Sequence, residues 1–326
     1  MQPFQLTLSN NGTVTGLQSI PPPSAVSTDY HPLIVGLHGG GYDSQYFDAT
    51  PKYSASLASI AFGVPFVSID RPSYGGTSSI LPIPEGSDFP QETGIWLHRY
   101  ILPKIWSEIG VPNKCNCVVL FCHSLGGMGG IVAAALHAQD NTPLYPLGGI
   151  ISSGLGNNQP ESMKNFTPSF LPVNSDHGLF PVNDKDAVMF KPGTVAPEVS
   201  EQSERLNAVS PYAETPHFAP VWLPVWKEKW AAHVSVPVMF ALVEDDPFFV
   251  TSEEELETCA RAFKNSVRVD KSLIRGAPHC MELSHWSQGW YARGLGFALE
   301  CSVSLANDGT SWTGYLERGG RSDSLA

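Results

Sequence analysis

Two styles of apolar patterning divide the chain. Residues 4–9 and 13–20 alternate apolar and polar positions with the two-residue period of a half-buried strand, and Asn10-Asn11-Gly12 between them is hairpin turn chemistry. Three prolines, Pro21 to Pro23, end the pairing because proline supplies no ladder N–H. From Leu33 onward the apolar runs are short and unbroken: residues 33–37, 65–69, 117–121, 147–151, 237–243 and 272–274. Such runs suit strands buried on both faces. Between them, residues 53–62, 93–109, 127–138, 254–263 and 284–299 carry apolar positions at helical spacing. Strand and helix alternate, which predicts βαβ crossovers and an α/β fold: a mostly parallel central sheet with helices on both faces.

One interval breaks the alternation. From about Gly156 to His233 strand-like runs vanish, while Pro, Asn and Asp accumulate before a Trp-rich stretch. It reads as a lid inserted between two core strands. The expected organisation is therefore a core domain whose first part is 1–155, an inserted lid at 156–233, a second core part at 234–303, and a mobile polar tail at 304–326. Trp222, Trp226 and Trp230 recur every four residues and so share a helical face despite Pro224. That stripe either packs on the main domain or forms an aromatic wall over a binding site, with Phe248 and Phe249 contributing from below.

Composition narrows the function classes. Among 326 residues, Lys+Arg 19 against Asp+Glu 31 leaves a net charge of −12, and no basic cluster exists to neutralise phosphates, which argues against nucleic acid. The acidic run Glu253 to Glu255 is expected to be a solvated first helical turn. No apolar run approaches the roughly 18–20 residues of a spanning helix, so no membrane insertion is expected. The N-terminus shows neither a basic nor an apolar leader segment, and the final Ser324-Leu325-Ala326 lacks the basic residue of a peroxisomal signal, so a cytoplasmic location is expected. The sequon Asn165-Phe166-Thr167 is then a chance match. Six cysteines are too sparse for a disulfide scaffold, and Cys115, Cys117 and Cys122 lack a second Cys/His cluster, so no metal site is expected.

The chemistry is concentrated in three places. In Phe121-Cys122-His123-Ser124-Leu125-Gly126-Gly127 a buried strand runs into a serine, then glycines and a small-residue helix, the context of a nucleophile elbow. Cys122 stands where a glycine is usual, but it is small. A serine that merely caps the helix is the competing reading. A serine hydroxyl needs a base, itself held by a carboxylate, and both follow in the order Ser, acid, His. Glu244-Asp245-Asp246 comes after one predicted strand and Gly276-Ala277-Pro278-His279 after the next. Asp246 is the preferred acid, with Glu244 in reserve and Asp245 expected to face solvent or cap the helix that follows. His279 is the preferred base, and His285 is expected to cap or pack the C-terminal helix. Third, His38-Gly39-Gly40-Gly41 follows a buried strand, so that N–H groups of Gly40 or Gly41, with that of Leu125, could hold an oxyanion. A plain turn or a phosphate loop competes, though no Gly-Lys-Ser/Thr follows. Tyr42, His123, Trp222, Trp226, Trp230 and Phe248 complete the candidate set as substrate-binding positions, although His123 is expected to point away from the serine.

Together, His38 to Gly41, the stretch Asp70-Arg71-Pro72-Ser73-Tyr74-Gly75-Gly76-Thr77, the elbow, Asp246 and His279 resemble the α/β-hydrolase superfamily from residue 33 to about 299. Met189-Phe190-Lys191-Pro192-Gly193, followed by Ala208 to Glu214 and the tryptophans, is similar to a group of fungal proteins of secondary-metabolite and toxin pathways. The resemblance implies a serine hydrolase acting without a cofactor on a small to medium apolar ester, lactone or thioester. A non-hydrolytic condensation, cyclisation or elimination at the same site, or a binding module with a retained hydrolase shell, are its rivals.

Overall fold

A computed structural model describes residues 1–23, 29–164 and 168–307. The sequon at 165–167 and the tail beyond 307 lie outside the described residues. Eight strands form one sheet: β1 (Gln2–Thr7), β2 (Thr13–Ser19), β3 (Pro32–Leu37), β4 (Phe66–Ile69), β5 (Cys117–His123), β6 (Leu147–Ser153), β7 (Val238–Val243) and β8 (Val269–Ile274), in the order β1-β2-β4-β3-β5-β6-β7-β8. Pairings from β4 to β8 are parallel, while β1 and β2 are antiparallel to each other and β2 to β4. The hairpin turn works as its sequence predicts, with Asn11 at φ 63° and the Leu8 N–H donating to the Gly12 carbonyl at 2.7 Å.

The unbroken apolar strands are explained by what covers them. Leu33, Val35 and Leu37 of β3 and Val118, Leu120 and Cys122 of β5 face one core cluster, which also contains Met128, Ile131 and Val132 of α3 (Gly126–Gln139). Ile34, Val119 and Phe121 face the other, with Trp290, Tyr291 and Leu295 of the last helix. Consecutive side chains point to opposite faces and each face has its own helical layer, so neither could be polar. α1 (Ala55–Phe62) contacts that last helix, α5 (Ser287–Asn307), and α2 (Phe89–Trp96) packs against α3. α2 continues through π turns at Leu97–Ile101 and Trp106–Gly110 around Leu102–Ile105. α4 (Glu253–Arg261) follows β7.

Several expectations are corrected. β8 begins at Val269 because Asp270 and Lys271 lie on the sheet's edge strand, where a part-exposed position tolerates polar residues. α5 starts at Ser287, after exposed His285, and continues to Asn307, so residues 304–307 are helical and not part of a tail. Segment 156–233 does contain strands: Leu171–Pro172, His177–Leu179 and Ser210–Pro211 form a small separate sheet. Two or three residues carry no readable period. Glu255 is buried and not solvated; its carboxylate accepts from Asn157 N at 3.1 Å, Asn158 N at 2.8 Å and Asn158 Nδ2 at 2.7 Å. No described helix is long and apolar enough to cross a membrane.

Candidate active site

A parallel sheet sends the loops after its strands to one edge, and here four such loops meet. β5 ends on His123, Ser124 takes the strained φ of 49°, and α3 begins two residues later. The sharp turn requires close approach. A Cβ on Gly126 would lie 2.5 Å from the carbonyl oxygens of both Leu37 and His38, and one on Gly39 would lie 3.1 Å from Ser124 Cβ. Cys122 fits at the elbow because the helix offers Gly130 opposite it: a Cβ there would sit 2.5 Å from Cys122 Sγ.

His279 Nε2 lies 3.0 Å from Ser124 Oγ, and its Nδ1 lies 2.8 Å from Asp246 Oδ2. All three side chains are buried. The Phe248 N–H donates to Asp246 Oδ1 at 2.9 Å, and the Phe248 ring stands edge-on to the His279 imidazole, centroids 4.6 Å apart. Of the neighbouring carboxylates, Asp245 is exposed at φ 56°, whereas Glu244 accepts from Gly276 N at 3.2 Å and ties the two loops together. Asp246 is thus the carboxylate that meets the imidazole.

Across from the serine, the backbone N–H groups of Gly40, Gly41 and Leu125 have no protein acceptor among the described residues. Gly41 adopts φ 76°, a conformation that glycine takes freely. Ser124, Leu125, Gly40, Gly41 and Phe248 line a largely apolar cavity of about 460 Å³. Most of its remaining wall, including Met163, Phe180, Val188, Met189 and Phe218, comes from segment 156–233. No group of three or more His, Cys, Asp or Glu among the described residues could hold a metal.

Five expected pocket residues lie elsewhere. Trp222, Trp226 and Trp230 are in the core cluster beneath the cavity wall, Trp222 stacked on Trp226 at 6.2 Å and Trp226 Nε1 bonded to Asn157 Oδ1 at 3.0 Å. A π turn at Phe218–Trp222 breaks the helix, so Phe218, not the tryptophans, reaches the cavity. Tyr42 packs under the loop, where it carries Lys185 Nζ over its ring at 4.1 Å and receives a hydrogen bond from Cys280 Sγ at 3.5 Å. Its neighbour Lys185 lines the cavity, and burial pulls the amine's pKa down to about 8. His123 points behind the serine, as strand alternation requires. Its Nδ1 meets Ser153 Oγ at 3.1 Å and Glu282 Oε2 at 3.2 Å. Burial drives His123 below and Glu282 above their ordinary pKa values, so both lean toward neutral forms.

Two further buried carboxylates were given no role by the sequence. Glu282 accepts from Tyr46 Oη at 2.8 Å, Ser153 Oγ at 2.7 Å and Trp290 Nε1 at 2.9 Å under the histidine loop. Glu214, in the short helix Glu214–His217, pairs with Arg71 and accepts from Tyr74 Oη. Nothing local marks either residue, because their partners are distant in sequence.

Comparison with known proteins agrees with this fold. Solved structures of similar fold include DcsB in complex with its substrate analogue (TM-score 0.58, 15% identity, 92% of this chain and 99% of that one). A soluble variant of monoglyceride lipase from Saccharomyces cerevisiae gives TM-score 0.62 at 14% identity over 93% and 96%. The thioesterase domain from the curacin biosynthetic pathway gives 0.51 at 14% over 92% and 99%. A search of curated proteins finds no match. At such identities these likenesses concern the fold, but a sequence model of the alpha/beta hydrolase family matches residues 34–292. That match spans most of the chain, from the strand before the glycine triplet to the last helix, and so this protein belongs to the alpha/beta hydrolase family.

Proposed function

We propose that this hydrolase cleaves an ester, lactone or thioester of a small to medium apolar metabolite through an acyl-enzyme on Ser124. One observation carries the reading: Ser124 Oγ, His279 and Asp246 form a continuous buried relay at the floor of an apolar cavity whose free N–H groups come from Gly40, Gly41 and Leu125. His279 takes the hydroxyl proton as Oγ attacks the carbonyl, and Asp246 stabilises the resulting imidazolium. The N–H groups of Leu125 and of Gly40 or Gly41 then hold the tetrahedral oxyanion, helped by the positive end of α3. His279 returns the proton to the leaving group and activates water for deacylation. A cavity of about 460 Å³ suits a medium-sized apolar group, and Phe248 against His279 keeps bulk water from the base. In this reading segment 156–233 is the lid, since it supplies most of the wall opposite the serine.

The test is turnover of a short-chain p-nitrophenyl ester. Ser124→Ala and His279→Ala should abolish it in folded protein, and Asp246→Asn should lower kcat by about four orders of magnitude. Either alanine variant retaining wild-type turnover overturns the assignment. With the natural substrate, heavy oxygen from solvent should enter a carboxylate product. Its absence would point to condensation or elimination instead.

A further inference from the structure

The loop after β4 holds a buried cluster that the relay does not use. Asp70 organises it, accepting from Thr15 Oγ1 at 2.5 Å, Ser44 N at 2.9 Å and Gly76 N at 3.4 Å. Arg71, buried beside it, reaches in two directions. Its Nη1 and Nη2 grip Glu214 of segment 156–233, and Nη2 also donates to the Gly39 carbonyl at 3.3 Å. The Arg71 N–H donates to His38 Nε2 at 3.1 Å, so the imidazole proton sits on Nδ1 and donates to the same Gly39 carbonyl at 2.8 Å. Tyr74 Oη closes the cluster on Glu214. Burial opposes the Arg71 charge, yet Glu214 beside it holds the guanidinium above its ordinary pKa.

Two donors therefore fix the oxygen of the Gly39–Gly40 peptide. That peptide is planar and trans, so its N–H, on Gly40, points the opposite way from its carbonyl. Three successive glycines have no side chains to hold this orientation themselves. We propose that Arg71, clamped by Glu214 and Tyr74, is a positioning residue that works with His38 to aim the Gly40 N–H as an oxyanion donor, and that Arg71 supplies its share only while Glu214 is docked against it. The proposal rests on the hydrolase reading for its chemical meaning, but the clamp is a separate physical claim. Charge gives the pair a second function. A Cβ on Gly40 would lie only 3.8 Å from Glu214 Oε2, and an unpaired carboxylate that close would repel a developing oxyanion. Arg71 cancels it. The helix carrying Glu214 is also anchored to α2, where the Phe89 N–H donates to His217 Nδ1 at 3.0 Å.

The test pairs a structural readout with a kinetic one. The double variant Arg71→Met/Glu214→Met removes clamp and charge together, and replacing a buried ion pair by apolar residues of similar size commonly leaves stability intact. The Gly40 amide resonance should move or broaden in ¹⁵N-resolved spectra while the Leu125 amide holds. With a p-nitrophenyl ester, kcat should fall about 10- to 100-fold and KM should stay within about twofold, because the lost interaction exists only in the transition state. An unmoved Gly40 resonance, or a moved one with unchanged kcat, overturns the proposal. Should the double variant fail to fold, Glu214→Gln carries the same two readouts with a smaller change. A wild-type protein that neither turns over esters nor labels at Ser124 with a fluorophosphonate would overturn the hydrolase reading alone, and the Gly40 resonance would still decide the clamp.

Discussion

At the scale of single residues, the elbow shows how a larger side chain is accommodated by a glycine opposite it. Cys122 stands where a nucleophile elbow usually has a glycine, and its sulfur occupies the space that a Cβ at position 130 would need. Gly130→Ala should therefore cost about 1–3 kcal/mol by overpacking. Cys122→Gly should relieve most of that, giving a coupling of about 0.5–3 kcal/mol in a double-mutant cycle measured by denaturant unfolding. Strictly additive costs would contradict the pairing. The same burial governs thiol chemistry. All six cysteines are free and buried, and burial pushes the Cys280 thiol up to about 12. Native protein at pH 8 should resist a thiol-reactive disulfide reagent, whereas unfolded protein should titrate all six. Rapid labelling of the folded state would refute this.

At the scale of elements, the tryptophan stripe and α4 show where periodicity stops being informative. Trp222 ends a π turn and Trp226 opens a separate short helix, yet their rings stack and both pack into the core, and spacing alone carries no information about what lies opposite. Trp222→Ala should cost about 3–5 kcal/mol of stability and leave KM for a small ester nearly unchanged. A changed KM with unchanged melting temperature would return the residue to the cavity wall. In α4, Glu253 and Glu254 lie in solvent as a charged first turn should, while Glu255 turns inward to cap the backbone at Asn157 and Asn158. Glu255→Ala should destabilise by more than about 1.5 kcal/mol, the scale of a charged hydrogen bond, whereas Glu254→Ala should be within about 0.5 kcal/mol of wild type in the same unfolding series.

For the whole molecule, the buried histidines predict a loss of stability on the acid side. Burial lowers His38 and His123 well below the ordinary value of 6.5 and takes His137 to about 4. The unfolded chain then binds protons that the folded one refuses. Their contribution is complete above pH 6.5 and is lost as pH falls toward 4, so melting temperature should drop over that window and His137→Gln should flatten the fall. A melting temperature flat across the window would contradict it. Read on its own, the sequence determined the sheet, its layering, the hairpin and the order of serine, acid and histidine, because burial on two faces and tight turns restrict residue type locally. Folding alone decided which carboxylate meets the imidazole, why Phe248 reaches the cavity when the tryptophans do not, and that Glu214 lies against Gly40 and Glu282 against Ser153. Charges and rings find partners more than a hundred residues away along the chain, and no local pattern encodes a contact whose other half lies on a different loop.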